Sequence, residues 1–181
     1  YAGSGYKALV FTDLILEGQV SSLLMSLVIV VILLGLIFKN YKLGFIGAIP
    51  IVVTTFISFG VMGLLNIPLS STTALISSIA IGIGIDYAVH FIDRYRIYAL
   101  DSQDRKLAIR QTMFHSGRAI VFNAIVVIAG FMVLLASVFP PNRILGGLIS
   151  LNMLTSFIGT LTVMAIALYY SKIFIIKGDE K

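Results

Sequence analysis

The chain has 181 residues, of which 59% are hydrophobic and 12% charged, and its formal net charge is +5 at pH 7. Soluble domains carry about 25% charged residues, so this composition excludes an ordinary soluble domain and indicates an integral membrane protein. The absence of cysteine excludes disulfides, thiolate metal sites and thiol nucleophiles, and the two histidines are too far apart for a zinc site. We therefore expect neither a metal nor a cofactor.

Five apolar stretches follow one another along the sequence. Each has the roughly 20 residues that a helix needs to cross the hydrocarbon core of a bilayer. Because backbone polar groups must be paired in lipid, we predict an all-α membrane protein, a bundle of five transmembrane helices. The predicted transmembrane domain is 20–176, with helices at about 20–38, 43–65, 69–92, 119–139 and 145–170.

The segments outside the five spans are short, apart from one polar connection. We predict that 93–118 is a cytoplasmic amphipathic connection, read as an amphipathic helix whose pattern follows a cap-like Asp101-Ser102. Pro50 falls inside the second span, where a kink is expected, whereas Pro68 and Pro140-Pro141 are predicted in turns. Residues 1–19 precede the first span, and 177–181 form a charged tail.

Lysine and arginine fall almost entirely on one side of this arrangement. The positive-inside rule then places 93–118 and the C-terminal tail in the cytoplasm, and 1–19 outside. Such bases face an anionic leaflet, and they are not interleaved with aromatic residues as in a nucleic-acid surface. We expect the lipid bilayer as a partner and no nucleic acid. Of the thirteen basic residues, Lys7 and Arg143 lie outside, and the other eleven lie inside: Lys39, Lys42, Arg94, Arg96, Arg105, Lys106, Arg110, Arg118, Lys172, Lys177 and Lys181.

The third span contains an acidic residue, Asp86, in an otherwise apolar stretch. A carboxylate at such a depth costs about 2.5–3.5 kcal/mol on insertion scales, and acids that are kept there commonly serve in proton or ion movement. The alternative is a purely structural role, in which the Asp86 carboxylate forms an ion pair or hydrogen bond with an unseen partner. We predict that Asp86 is the main functional residue of the chain.

Two series of small and polar residues run along the third span at a spacing of four. A helix places each series on one face, where small residues let a neighbouring helix approach closely. We therefore predict that Asp86 lies at a tight protein interior, with Gly82 and Gly84 in close helix packing. The first series is Ala74, Ser78, Gly82, Asp86 and His90, and the second is Ala80, Gly84 and Ala88.

Other polar residues in the spans are candidates for a proton relay around Asp86. His90 lies one turn towards the cytoplasm, and it could share a proton with the carboxylate or simply reach the headgroup region. Tyr87 could donate to a carboxylate on a facing helix or be an interfacial aromatic residue. Asn123 in the fourth span could face Asp86. The fifth span contains a row of residues, Asn152, Ser156 and Thr160, that could line a water path or hold helices together.

The segment 80–96, AIGIGIDYAVHFIDRYR, resembles the fourth or tenth transmembrane helix of RND (resistance-nodulation-division) superfamily exporters. The similarity is to the MMPL and Patched-like branch, which includes hopanoid-type lipid exporters, and it continues over nearly the whole chain. The further matching features, in the same order as in that branch, are Phe38-Lys39, Pro50, Met62-Gly63, Ile67-Pro68-Leu69, Ser116-Gly117-Arg118-Ala119-Ile120, Gly130-Phe131 and Ser137.

This resemblance implies a protein of two similar halves in a bacterial or archaeal cytoplasmic membrane. Each half has one helix, a large extracytoplasmic porter domain and five more helices. Residues 1–19 would then end a porter domain, and the chain would supply the last five helices of the C-terminal half. The resemblance also implies an Asp-Tyr pair, here Asp86 and Tyr87, that couples proton entry to export of a lipid or other hydrophobic substrate.

The partners implied by the resemblance are the N-terminal half and the porter domains of the same polypeptide. Self-association into a homo-oligomer is left open, as is sodium in place of the proton. Which half of a full transporter the chain represents also depends on the residues before Tyr1.

Several other functions are also considered for this sequence. A lipid- or sterol-sensing module of the Patched-like type shares the five-helix arrangement, although sensing a lipid does not require a buried acid. An intramembrane aspartyl protease needs two carboxylates that share a proton, and the spans contain one acid. A protein-translocation helper of the same superfamily fits the Asp-Tyr pair less well. The sequence has no phosphate-binding loop and no nucleophile and base at a suitable spacing, so we expect no enzyme activity.

Overall fold

The computed structural model describes residues 4–68, 70–102 and 104–171, and these form a bundle of long helices. Helix α1 covers Ser4–Ile37, α2 Tyr41–Leu64, α3 Ser71–Ser102 and α4 Arg105–Met132. A short 3-10 turn, Val133–Ala136, follows α4. The last span begins with α5 (Pro140–Gly159) and passes through a π-helical turn (Thr160–Met164) into α6 (Ala165–Tyr170).

The prediction of a five-helix membrane bundle is confirmed. Among the described residues, five helical segments are long and apolar enough to cross a bilayer: Glu17–Ile37, Tyr41–Leu64, Thr73–Ser102, Arg105–Ala136 and Pro140–Tyr170. The described part of the chain contains no β-strand. Residues 1–3 and the predicted tail 177–181 lie outside the described residues.

The predicted amphipathic helix 93–118 does not exist as a separate element. Helix α3 continues through Ser102, and α4 begins at Arg105, so the two long helices share this segment between them. The predicted cap at Asp101-Ser102 is also wrong, because both residues belong to the last turn of α3. Asp104 caps α4 instead, where its carboxylate accepts a hydrogen bond from the Lys106 amide at 2.9 Å.

Two proline predictions have different outcomes. Pro68 lies in the connection between α2 and α3, as predicted. Pro140 and Pro141 are not in a turn, because they form the first residues of α5. This position suits proline, since the amides of the first helical turn have no partner within the helix and the fixed φ angle of proline matches the helical one. Pro50 lies inside α2.

Helix α3 occupies the centre of the bundle, because it contacts α1, α2, α4 and α5. The core around it contains Tyr87, Phe91 and Ile92 from α3 itself, together with large apolar residues from the other helices. Helices α1 and α2 approach closely at Gly44, where a Cβ atom would lie 2.7 Å from the Val31 carbonyl oxygen. The absence of a side chain at Gly44 therefore allows this helix pair to form.

The two ends of the bundle differ in charge. The end of α1, the start of α2, the end of α3, the start of α4 and the end of α6 all lie at one end, because consecutive helices alternate in direction. Arg105 at this basic end donates a hydrogen bond from Nη1 to the Tyr169 carbonyl oxygen at 3.0 Å. The Arg96 guanidinium lies 5.7 Å from the centre of the Phe38 ring. These contacts join α4 to α6, and α3 to the end of α1, at the basic end.

Candidate proton-relay site

Helix α3 has two faces with different surroundings. The face that carries Ala80, Gly84 and Ala88 is buried against the other helices of the chain. The face that carries Ser78, Gly82, Asp86 and His90 is exposed, and we call these four residues the polar stripe. The sequence predicts both series, but only the series Ala80, Gly84 and Ala88 lies inside the bundle that the described residues form.

The prediction that Asp86 lies in a tight interior is wrong for this chain taken alone, because Asp86 is exposed. The physical reason is the helical period: Asp86 lies 100° away from Tyr87, and the large ring of Tyr87 occupies the buried side. Asp86 is near the middle of α3, about 20 Å along the axis from Thr73 and about 24 Å from Ser102. An acid at this depth therefore lies on a surface that the other described helices leave uncovered.

The two glycines of the third span have different roles. Gly84 is buried, and a Cβ atom there would lie 3.1 Å from the Ser156 hydroxyl and 3.6 Å from Cγ1 of Ile51. Gly84 thus lies where α2, α3 and α5 meet, as expected for close helix packing. Gly82 is exposed, and a Cβ atom there would meet nothing within 4 Å among the described residues. The close packing predicted at Gly82 is therefore absent from this bundle.

Tyr87 is buried, with 1% of its surface exposed. Its hydroxyl donates a hydrogen bond to the sulfur of Met153 in α5 at 3.6 Å. A thioether is a weak acceptor, so the hydroxyl is held without a strong partner. Asp86 and Tyr87 are consecutive in sequence, but the acid faces outwards and the phenol faces α5.

His90 lies on the polar stripe with Asp86, one helical turn and about 6 Å closer to the basic end. Asn123 lies on an exposed face of α4. No hydrogen bond joins either residue to Asp86 among the side chains that the structure describes. The stripe therefore brings Asp86 and His90 onto one face, whereas neither Tyr87 nor Asn123 is hydrogen-bonded to the acid.

A groove that the sequence does not reveal lies at the end of the stripe opposite the basic end. It has a volume of about 430 Å³ between α1 and α3, and Gln19, Ser22 and Ser78 line it together with apolar residues. Gln19 is 6% exposed although the sequence places it outside the first span. Ser78 lies on the same face as Asp86, two turns and about 12 Å further from the basic end. The one sign of this groove in the sequence is the amide of Gln19, which directly precedes the predicted span 20–38.

The site has no arrangement that would hold a metal. Within 4–68, 70–102 and 104–171, no three His, Asp or Glu side chains are grouped closely enough to bind a metal ion. The side chains of the stripe itself offer the binding and release of a proton by a carboxylate and an imidazole on one helix face.

Comparison with known proteins gives one family and several relatives. A model of the MMPL family matches residues 5–178. Membrane protein MJ1562 of Methanocaldococcus jannaschii is 28% identical over 157 residues, which cover 84% of this chain and 39% of that protein. The trehalose monomycolate exporter MmpL3 of Mycolicibacterium smegmatis is 28% identical over 131 residues, or 67% of this chain and 13% of the exporter. The exporter of the same name from Mycobacterium tuberculosis is 33% identical over 61 residues, or 34% of this chain and 6% of the exporter. The chain thus spans well under half the length of the relatives it matches.

Proposed function

The chain belongs to the MMPL family, and we propose that it forms part of a proton-driven exporter of lipids or other hydrophobic molecules. The position of Asp86 carries this proposal: an acid in the middle of a span lies on a face that the other described helices do not cover. The similarity to proteins named as trehalose monomycolate exporters supports a lipid as the substrate class.

The proposal requires that the polar stripe be covered by protein. An ionised carboxylate that faced acyl chains would cost several kcal/mol, and most intramembrane acids face a helix interface or a water-filled cavity. The covering element is proposed to be the other half of the transporter, which would bring its own helices against α3. Gly82 and Ser78 would then allow close approach at that interface, as Gly84 does on the opposite face.

Protonation of Asp86 would act on this interface. A charged carboxylate favours a packing in which water or a polar group reaches it, and the neutral acid favours a tighter one, so the proton biases two arrangements of the helices. One proton that crosses 100 mV supplies about 2.3 kcal/mol, which shifts such an equilibrium by about fiftyfold. Coupling to the proton gradient could therefore drive a conformational cycle.

Each of the other relay residues has a distinct place in this scheme. His90 is proposed to pass protons between Asp86 and the basic end, because it lies on the same face one turn away. The groove at Ser78, where Gln19 and Ser22 also lie, is proposed to admit water from the opposite end. Tyr87 is proposed to carry the movement of the helix to α5 through its buried ring and its contact with Met153. Asn123 is proposed only as support from α4.

The orientation and partners belong to the same proposal. The basic end of the bundle would face the cytoplasm of a bacterial or archaeal cell, and the start of α1 would face outwards. The long helix α1 would extend beyond the membrane towards a porter domain of the same polypeptide. Association of several copies into a homo-oligomer would be compatible with this orientation.

A second candidate is a lipid- or sterol-sensing module without transport. The observation behind it is a candidate lipid site: an apolar groove of about 350 Å³ lies between α1 and α2, where Leu23, Leu27, Val52 and Phe56 are among the lining residues. A lipid tail would fit such a groove in either function. Proton-coupled transport distinguishes the two, since a sensor needs no proton flux.

The test uses the full-length protein in vesicles with an imposed proton gradient. Asp86→Asn should abolish gradient-dependent transport of a fluorescent lipid and the accompanying proton movement, because the amide cannot release a proton. Asp93→Asn is the matched control, since Asp93 is an exposed acid on α3 two turns further on, and it should leave both rates near those of the unaltered protein. Transport by Asp86→Asn at the unaltered rate and with the unaltered gradient dependence would refute the proposal. If the unaltered protein itself moved neither lipid nor protons but still bound lipid, the sensor would be favoured.

A further inference from the structure

Hydroxyl groups inside these helices usually have a local partner. A serine or threonine in a membrane helix can donate a hydrogen bond to the carbonyl three or four residues earlier, which satisfies it without help from another helix. Thr55, for example, donates to the Ile51 carbonyl at 2.8 Å. The other residues that bond in this way within the spans are Ser77, Ser78, Thr112, Thr155 and Thr162.

The hydroxyls of Thr54, Ser156 and Thr160 are deeply buried and have no such partner in the described part of the chain. Thr54 is 4% exposed, Ser156 is 1% exposed and Thr160 is fully buried. None of their oxygen atoms has a hydrogen-bond partner among the described protein atoms, so they bond neither to their own helices nor to one another. A buried hydroxyl without a partner costs about 1–3 kcal/mol, so three of them are a substantial cost if nothing else contacts them.

The three hydroxyls lie on facing surfaces of α2 and the last span. Gly159 packs against Pro50, because a Cβ atom at Gly159 would lie 3.3 Å from the Pro50 Cβ. Thr54 is one turn after Pro50 in α2, about 6 Å further from the basic end. Ser156 is likewise about 4.5 Å further from the basic end than Gly159. Thr54 and Ser156 are therefore nearly level, and Thr160 lies close to the level of Pro50.

Both helices have a weakened backbone at this level. Pro50 has no N–H group, so the Ile46 carbonyl cannot receive the hydrogen bond that this helix position normally supplies. The π-helical turn Thr160–Met164 begins directly opposite, and such turns interrupt the regular pattern of α-helical bonds. Polar backbone and polar side chains thus meet at one depth of an otherwise apolar interface.

We propose that Thr54, Ser156 and Thr160 hold buried water between α2 and the last span. A buried water makes about three hydrogen bonds to polar groups that otherwise have no partner, which matches a set of three hydroxyls. Gly84 closes the site on the side of α3, because a Cβ atom there would lie only 3.1 Å from the Ser156 hydroxyl. Water is favoured over a cation because all of these groups are neutral, and Asp86, the acid in the apolar part of α3, lies on the exposed face of that helix.

This hydration site does not depend on the proposed transport function. Its structural consequence is that the two interrupted helices can exchange backbone hydrogen bonds with water at the level of Pro50 and Thr160. Bending of either helix at that level would then leave no backbone group without a partner.

The test combines stability measurements with direct detection of the water in the full-length protein. Thr54→Val and Ser156→Ala keep the shape of the side chain and remove one hydroxyl each. If water joins these groups, each variant should lower the Tm by about 2 °C or more, since the remaining hydroxyl loses its partner. The double variant should lower the Tm no further than the more damaging single variant, because the water is lost once. Thr55→Val is the matched control, with a hydroxyl that bonds within its own helix, and should leave the Tm unchanged.

The opposite sign would overturn the proposal. A hydroxyl that is buried without water carries an uncompensated desolvation cost, and its removal eliminates that cost. Thr54→Val and Ser156→Ala would then each raise the Tm or leave it unchanged, and their effects would add. An experimental structure at a resolution that shows ordered water decides the matter independently of how the variants fold. Density within hydrogen-bonding distance of these hydroxyls would support the site, and its absence would contradict it.

Discussion

Asp86 and Tyr87 are consecutive residues of α3 that lie in opposite environments: the acid is exposed, whereas the phenol is 1% exposed and bonded to the sulfur of Met153. One peptide unit therefore links an ionisable group on the uncovered face to the packed core of the bundle. A shift or rotation of α3 caused by a change at Asp86 would therefore alter the contact between α3 and α5. This relationship is the structural basis of the proposed coupling.

The buried ring of Tyr87 should matter more for stability than its hydroxyl. Tyr87→Phe retains the ring and removes one bond to a weak acceptor, so the free energy of unfolding should change by less than about 1 kcal/mol. Tyr87→Ala leaves a large cavity beside Met153 and should cost about 3–5 kcal/mol. Denaturation of the purified protein in detergent measures both. Equal destabilisation by the two variants would show that the hydroxyl is held more strongly than its contact with sulfur indicates.

Gly84 should not tolerate a larger side chain. Gly84→Val would place methyl groups against Ser156 and Ile51, where a Cβ atom alone already lies 3.1 Å from the serine hydroxyl, and overpacking of this kind costs about 1–3 kcal/mol. Gly60→Val is the matched control, because Gly60 is an exposed helical glycine with nothing within 4 Å of a Cβ atom. Thermal unfolding should separate the two variants. A similar Tm for both would mean that α3 and α5 are further apart than described.

The start of α4 provides a test of which aspartate caps the helix. Asp104→Ala removes the bond to the Lys106 amide and should lower the free energy of unfolding by about 1 kcal/mol. Asp101→Ala changes an exposed acid in the last turn of α3 and should have little effect. Comparison of the two Tm values is sufficient. A larger effect of Asp101→Ala would restore the helix start predicted from sequence.

Hydropathy predicts the number of spans well because it measures what a bilayer requires, about 20 apolar residues in a row. It does not predict the helix ends, since a helix that leaves the membrane keeps its internal hydrogen bonds and can continue through polar residues. For this reason α3 extends ten residues past Ile92, and α4 begins at Arg105 rather than near Ala119. The separate amphipathic helix was predicted from the same polar residues, which instead belong to these two extensions.

The candidate site was predicted in part. Spacing of four correctly indicates two faces of α3 that carry small residues, and it places Asp86 and His90 together. It cannot tell which face lies inside this bundle, because Gly82 and Gly84 have the same chemistry and differ only by 200° of rotation about the helix. Burial of large neighbours such as Tyr87 decides between them, and this depends on the arrangement of α2 and α5. The buried amide of Gln19 and the unpartnered hydroxyl of Thr54 likewise emerge only from tertiary packing.

The central claim is that the face of α3 around Asp86 is covered by protein in the complete transporter, and a spin label on that face tests it most directly. This chain has no cysteine, so Ile79→Cys, two turns before Asp86 on the same face, introduces a single labelling site in it. Val126→Cys, on a 69% exposed position of α4, is the lipid-facing control. We predict that collisions with oxygen, which concentrates in lipid, and with a water-soluble nickel complex are both rare at position 79, whereas oxygen collisions are frequent at position 126. Frequent oxygen collisions at position 79, equal to those at position 126, would place Asp86 against acyl chains and contradict the account.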